Sequence, residues 1–131
     1  MVGVVGGVAV EESFIFGEDG DGNTSLPQSS ASLLRLLHYS NIPMAILCGD
    51  SVPSEKADFI TKITTQYSCC TVINSSVTND TFDKLLLAWG DAGGICFYLA
   101  AKEDEELFNK ISNQGWRIIV KSTSRIIQNV V

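Results

Sequence analysis

Residues 32–50 read SLLRLLHYSNIPMAILCGD. Leu33, Leu34 and Leu37, with Ala31 just before them, recur at helical spacing and make one apolar face, so residues 29–39 are predicted as a helix capped by Ser29 or Ser30. Pro43 prevents that helix from continuing. The unbroken apolar run over residues 44–48 then reads as a buried strand, ending in Gly49-Asp50. Helix, short turn and two-sided buried strand together are the signature of a sheet covered on both faces.

The same alternation runs outward in both directions. Residues 2–10 form a Val/Gly run suited to a first buried strand, with residues 13–16 as its short continuation, and the turn-rich loop GEDGDGNTSLPQ follows over residues 17–28. Toward the C-terminus, a helix over residues 52–66 has Pro53 in its first turn and Phe59, Ile60 and Ile63 on one face. A strand over 69–73, a helix over 78–89 capped by Thr78 or Asn79, a strand over 95–99, a helix over 102–111 and a strand over 116–120 complete the pattern. The expected fold is α/β, a Rossmann-like three-layer sandwich with a mostly parallel five-stranded sheet and about four helices. It is expected as one domain over residues 1–131, with no internal repeat.

Composition narrows the function classes. Of 131 residues, 45% are hydrophobic and 18% charged, which suits a packed core. The net charge of −6 and the scatter of the nine Lys and Arg argue against nucleic acid, an anionic membrane or tight polyphosphate binding as partners. MVGVVGGVAV, residues 1–10, is too short to span a bilayer and lacks the basic start of a signal peptide. The expected compartment is the cytoplasm or nucleus, where the sequons at Asn23, Asn74 and Asn79 carry no sugar. Cys48, Cys69, Cys70 and Cys96 show no metal-ligand spacing and read as small hydrophobes in or beside strands.

Ligands of open α/β sheets bind at the carboxyl ends of the strands. Those ends hold Glu11-Glu12-Ser13, Cys48-Gly49-Asp50, Asn74-Ser75-Ser76, Ala100-Ala101-Lys102 and Lys121-Ser122. A haloacid-dehalogenase-type phosphatase needs an Asp nucleophile after the first strand, a second Asp two residues on, and later a Ser or Thr and a Lys. Here Glu11 and Ser13 stand at the two acidic positions, and Cys48-Gly49-Asp50 offers no hydroxyl; one extra methylene spoils an in-line attack. A receiver domain needs an acidic pair, supplied by Glu11-Glu12, and a late Lys, supplied by Lys121. Its phosphoacceptor would fall on Asn74 and its hydroxyl on Ala100, so phosphorylation fails.

Other motifs read as structural. Asp19-Gly20-Asp21-Gly22-Asn23 starts like an EF-hand loop, but Thr24 replaces its glycine and Ser30 its glutamate, so calcium is not expected. Gly3, Gly6 and Gly7 lie in or before the first strand and form no phosphate-binding turn. His38 is read as a partly exposed helical histidine, and Trp89 and Trp116 as core residues.

VAVEESFIF (residues 8–16), SLLRLLHYSNIPMAI (32–46), KADFITKITTQYS (56–68) and TFDKLLLAWGDAGGICFYLA (81–100) resemble one protein region. It is the N-terminal haloacid-dehalogenase-like region of the long plant inositol trisphosphate 5/6-kinase / inositol tetrakisphosphate kinase family. The resemblance implies that full-length members use ATP and magnesium to phosphorylate inositol polyphosphates. It places that chemistry in a C-terminal ATP-grasp kinase domain with no counterpart in this sequence. No catalytic, cofactor-binding or metal-binding residue carries over. The chain is therefore expected to be a non-catalytic domain, a fragment or truncated isoform, with the kinase domain as its partner in cis. A stand-alone receiver-like or dehalogenase-like domain, acting by protein contact or as a small phosphatase, is the alternative.

Overall fold

The computed structural model describes residues 5–16, 28–49, 54–67, 70–90 and 94–120. The elements run β1 (Val5–Glu11), α1 (Glu12–Phe16), α2 (Gln28–Tyr39), β2 (Met44–Leu47), α3 (Ser54–Thr64), β3 (Cys70–Ile73), α4 (Asn79–Trp89), β4 (Ile95–Ala100), α5 (Glu105–Asn113) and β5 (Arg117–Val120). The five strands make one sheet in the order β3-β2-β1-β4-β5, every neighbouring pair parallel. Helices cover both faces, so the α/β three-layer expectation holds.

Strand position explains strand composition. In the interior, β2 is buried at all four positions, whereas edge strand β5 alternates exposed and half-buried residues. Val8, Val10, Met44, Ile46 and Leu99 face one helical layer, where Leu34 and Leu37 of α2 and Ile60 and Ile63 of α3 meet them. Alternate residues point the other way: Ala9, Ala45 and Ala100 lie beneath Phe82 of α4, Ile111 of α5 and Trp116. Small side chains on the sheet make room there for large aromatics, the size matching that close packing requires. At Gly7 the match is closest, because a Cβ at that position would lie 2.2 Å from the Trp89 ring.

Two helices stop by the same device. Asn41 has φ 57°, and the Ile42 amide reaches back to the Leu37 carbonyl at 2.9 Å. Gly115 has φ 109°, and the Trp116 amide reaches the Ile111 carbonyl at 3.2 Å. Both are left-handed helix terminations that turn the chain directly into the next strand. Asp104 opens α5 by accepting from the Leu107 amide at 3.2 Å, and the Thr78 amide before α4 donates to the Thr81 hydroxyl at 3.1 Å.

Two local expectations are corrected. Residues 13–16 do not continue the first strand; they belong to α1, which brings the count to five helices among the described residues. An extended run would carry Ile15 past the end of the sheet, whereas the helical turn folds it into the core at 1% exposure. Neither Ser29 nor Ser30 caps α2, which begins at Gln28; the buried Ser30 hydroxyl instead donates to the Ile15 carbonyl, tying α2 to α1. The expectations for residues 2–4, for Pro53 and for the acidic loop from Asp19 to Asn23 fall outside the described residues. No helix among those described is long and apolar enough to cross a membrane.

Candidate functional site

The strand order fixes where a ligand would sit. The connection after β1 leads to the α2 layer and that after β4 to the α5 layer, so the sheet splits at its carboxyl edge between these two strands. A cleft of about 580 Å³ opens there, lined among others by Glu11, Glu12, Ser13, Cys48, Tyr98 and Leu107.

Glu11 ends β1 and is half-buried. Its Oε1 accepts a 2.6 Å hydrogen bond from the Tyr98 hydroxyl, and its Oε2 accepts a long, weak one from Ser13 Oγ at 3.4 Å, beyond the usual hydroxyl range. Tyr98 stands on β4 with its ring 3% exposed, edge-on to Phe82 at 4.9 Å and to Phe108 at 6.2 Å. Burial pushes its ionisation well above the usual phenol range, reinforced by the hydrogen bond and charge of Glu11 and by Asp104. The phenol is thus a fixed proton donor at any physiological pH.

The other acidic residue is separately engaged. Glu12, the first residue of α1, pairs with Lys56 of α3 at 2.7 Å, both side chains being about four-fifths buried. Cys48, just beyond β2, has its thiol pushed up to about 11, chiefly by burial and then by the Glu12 charge, with Lys56 opposing. At neutral pH it is a protonated thiol rather than a nucleophile.

This constellation departs from phosphoryl-transfer chemistry in three respects. The carboxylate at the nucleophile position is Glu11, restrained by two hydroxyl donors. The residue two places on is Ser13, which donates to that carboxylate instead of acting as an acid/base. Cys48 stands at the end of β2. The donor set does not fit the magnesium ion that such chemistry uses: Glu11 and Glu12 turn to different partners, and no group of three or more His, Cys, Asp or Glu is gathered for a metal among the described residues.

The receiver comparison fails on topology. A receiver sheet runs 2-1-3-4-5 and brings its acceptor strand next to β1. Here β3 is an edge strand and β2 separates it from β1, so Asn74 lies two strands from Glu11. Asp50 and Lys121 lie outside the described residues.

The remaining candidates are structural where described. Gly6 and Gly7 sit within β1, and a Cβ on Gly6 would come 2.8 Å from the Trp89 carbonyl oxygen. His38 is half-buried on α2, its ring edge-on to Tyr39 and Tyr67. Trp116 is 2% exposed and Trp89 packs beside it, rings 6.2 Å apart. Cys48 and Cys96 are buried free thiols, and Cys70 is half-buried on β3. Sequence reading passed over Tyr98 and Lys56. Tyr98 carried a signal, being the one hydroxyl in the apolar run ICFYLA, on the same strand face as Cys96 and Ala100. Lys56 carried none, because its partner depends on how α3 packs beside α1.

Comparison with known proteins agrees with this fold. Inositol-tetrakisphosphate 1-kinase 6 of Oryza sativa subsp. japonica is 26% identical to this chain over 123 residues, and its counterpart from subsp. indica is 25% identical. Each alignment covers 93% of this chain but only 22% of the relative, so the chain spans about a fifth of the length of these curated relatives. The family described as "ITPK4, N-terminal HAD-like domain" matches residues 1–130, and the chain belongs to that family.

Proposed function

We propose that this chain is a non-catalytic, protein-docking domain of an inositol polyphosphate kinase. In this reading the intact protein transfers phosphate from ATP, with magnesium, to inositol tris- or tetrakisphosphates, and does so through polypeptide other than these residues. The partner is the kinase domain in cis, and the compartment is the cytoplasm or nucleus. One observation carries the reading. At the position where the dehalogenase fold keeps its nucleophile, Glu11 is held by Tyr98 and Ser13, and no cation approaches it among its described contacts. A net charge of −6 further disfavours phosphate ligands.

The reading is tested on two fronts. The purified chain, given a generic aryl phosphate and magnesium, should release no phosphate above buffer; release that disappears in Glu11→Gln would overturn the non-catalytic part. The kinase domain, expressed separately, should co-purify with this chain, and failure to associate would overturn the docking part.

A further inference from the structure

We infer that the cleft at the carboxyl edge receives an arginine side chain from the polypeptide against which this domain packs, with Glu11 as its anchor. The inference rests on the docking reading above and names the chemistry of the contact.

The argument begins with unspent hydrogen-bonding capacity. A carboxylate offers about four acceptor sites, two on each oxygen. Tyr98 occupies one site on Oε1 and Ser13 one on Oε2. One site on each oxygen remains, the arrangement that the two parallel N–H groups of a guanidinium satisfy together.

Charge points the same way. Glu11 is half-buried and its described donors are both neutral hydroxyls, so among the described residues its negative charge is hydrogen-bonded but not ion-paired. Lys56, close enough to act on the Cys48 thiol in the same cleft, is bound to Glu12. Among the described residues that line the cleft, none is Lys, Arg or His. Four exposed carboxylates, Glu103, Asp104, Glu105 and Glu106, against one exposed lysine, Lys102, lie on the same edge of the sheet, between the end of β4 and the first turn of α5. A phosphate group would meet carboxylates on entry; a cation is drawn in.

Shape and wall chemistry suit a side chain with an aliphatic stem. Leu47, Val77 and Leu107 supply apolar wall, and the carboxylate provides a charged anchor among them. The volume of about 580 Å³ lies within the range of side-chain and small-ligand sites. Arginine lays its stem along such walls while its head is bound.

The test uses the 131-residue chain and the peptide acetyl-Leu-Arg-Leu-amide, followed by backbone amide NMR and calorimetry at low salt. Its control is the same peptide with citrulline, which is nearly isosteric with arginine but uncharged. Saturable shifts are expected at residues 11–13, 47–49, 76 and 107, with at least tenfold weaker binding of the citrulline peptide. Glu11→Gln should weaken the arginine peptide to a similar extent. Ser76→Lys provides a second variant at an exposed position on the cleft wall; it supplies a competing cation in cis and should also reduce binding at least tenfold.

Equal affinity for both peptides, shifts confined to residues 103–106, or no binding would overturn the inference. So would magnesium ion or inorganic phosphate reproducing the same shifts. If the kinase domain co-purifies with the chain but the peptide fails, only the arginine site falls. If the peptide binds but the kinase domain does not associate, the site stands and the docking reading falls.

Discussion

Tyr98→Phe isolates the interaction that defines the cleft. The substitution removes one oxygen and keeps the ring, so the edge-on contacts with Phe82 and Phe108 survive and no cavity larger than a hydroxyl forms. What is lost is a 2.6 Å hydrogen bond to a half-buried carboxylate. Hydrogen bonds to charged acceptors contribute about 1.5–3 kcal/mol, and the lower half of that range applies because water in the cleft can replace the phenol. The expected loss is about 2 kcal/mol of unfolding free energy, read from urea titrations at neutral pH. A double-mutant cycle with Glu11→Ala should return a coupling energy of about 1–2 kcal/mol, since each residue's role requires the other. An alkaline limb provides a further check. Because folding raises the Tyr98 ionisation above its ordinary value of 10.0, this contribution is complete below pH 10 and falls as pH rises beyond it, where only the unfolded chain gives up the proton. Tyr98→Phe should flatten that limb. A loss below about 0.5 kcal/mol, or strictly additive single mutants, would refute the account of the site.

Other perturbations test the frame around the cleft. Gly7→Ala drives a Cβ to 2.2 Å from the Trp89 ring, beneath a helix that cannot retreat freely, and should cost about 3 kcal/mol or more in denaturant titrations. Relief by Trp89→Leu in the same chain would confirm the clash as the cause. Asn41→Ala places a Cβ-bearing residue without a compensating side-chain amide at φ 57° and should cost about 1 kcal/mol, whereas Asn41→Gly should be neutral or slightly stabilising. Cys48, with its thiol raised from 9.0 to about 11, contributes stability that is complete below pH 9 and disappears between pH 9 and 11. That amounts to up to about 3 kcal/mol, and Cys48→Ala should remove this part of the alkaline transition. Iodoacetamide should label Cys48 at pH 7.5 roughly a hundredfold more slowly than an exposed cysteine, from the same two-unit shift.

The layer architecture was readable because its physical cause is local. Two-sided burial demands unbroken apolar strands such as MAIL in β2, and Pro43 separates that strand from the helix before it. Strand order was not readable, since periodicity shows that β3 and β4 exist but not which of them lies beside β1. That one fact separates the Rossmann-like sheet from the receiver sheet. The α1 turn escaped for a related reason: SFIF is a short run rich in strand-favouring apolar residues, and only the packing of Ile15 against α2 decides for a helix. At the site, sequence reading identified Glu11, Ser13 and Cys48 as departures from a catalytic set. Tyr98, the partner of Glu11, and Lys56, the partner of Glu12, lie far along the chain from them, and a contact across that distance leaves no mark in local spacing.

The central position of β1 also sets the order in which this chain can fold as it is made. Tyr98 and Glu11 meet although they are 87 residues apart. When β1 leaves the ribosome it can pair with β2 after a short wait, but its other edge stays open until β4 has been synthesised. Through that interval a Val-rich strand offers unpaired backbone amides and carbonyls to whatever is nearby. Gly6 and Gly7 lie in that waiting strand and lower its tendency to pair with strangers. The same glycines that admit Trp89 in the finished domain thus protect the unfinished one.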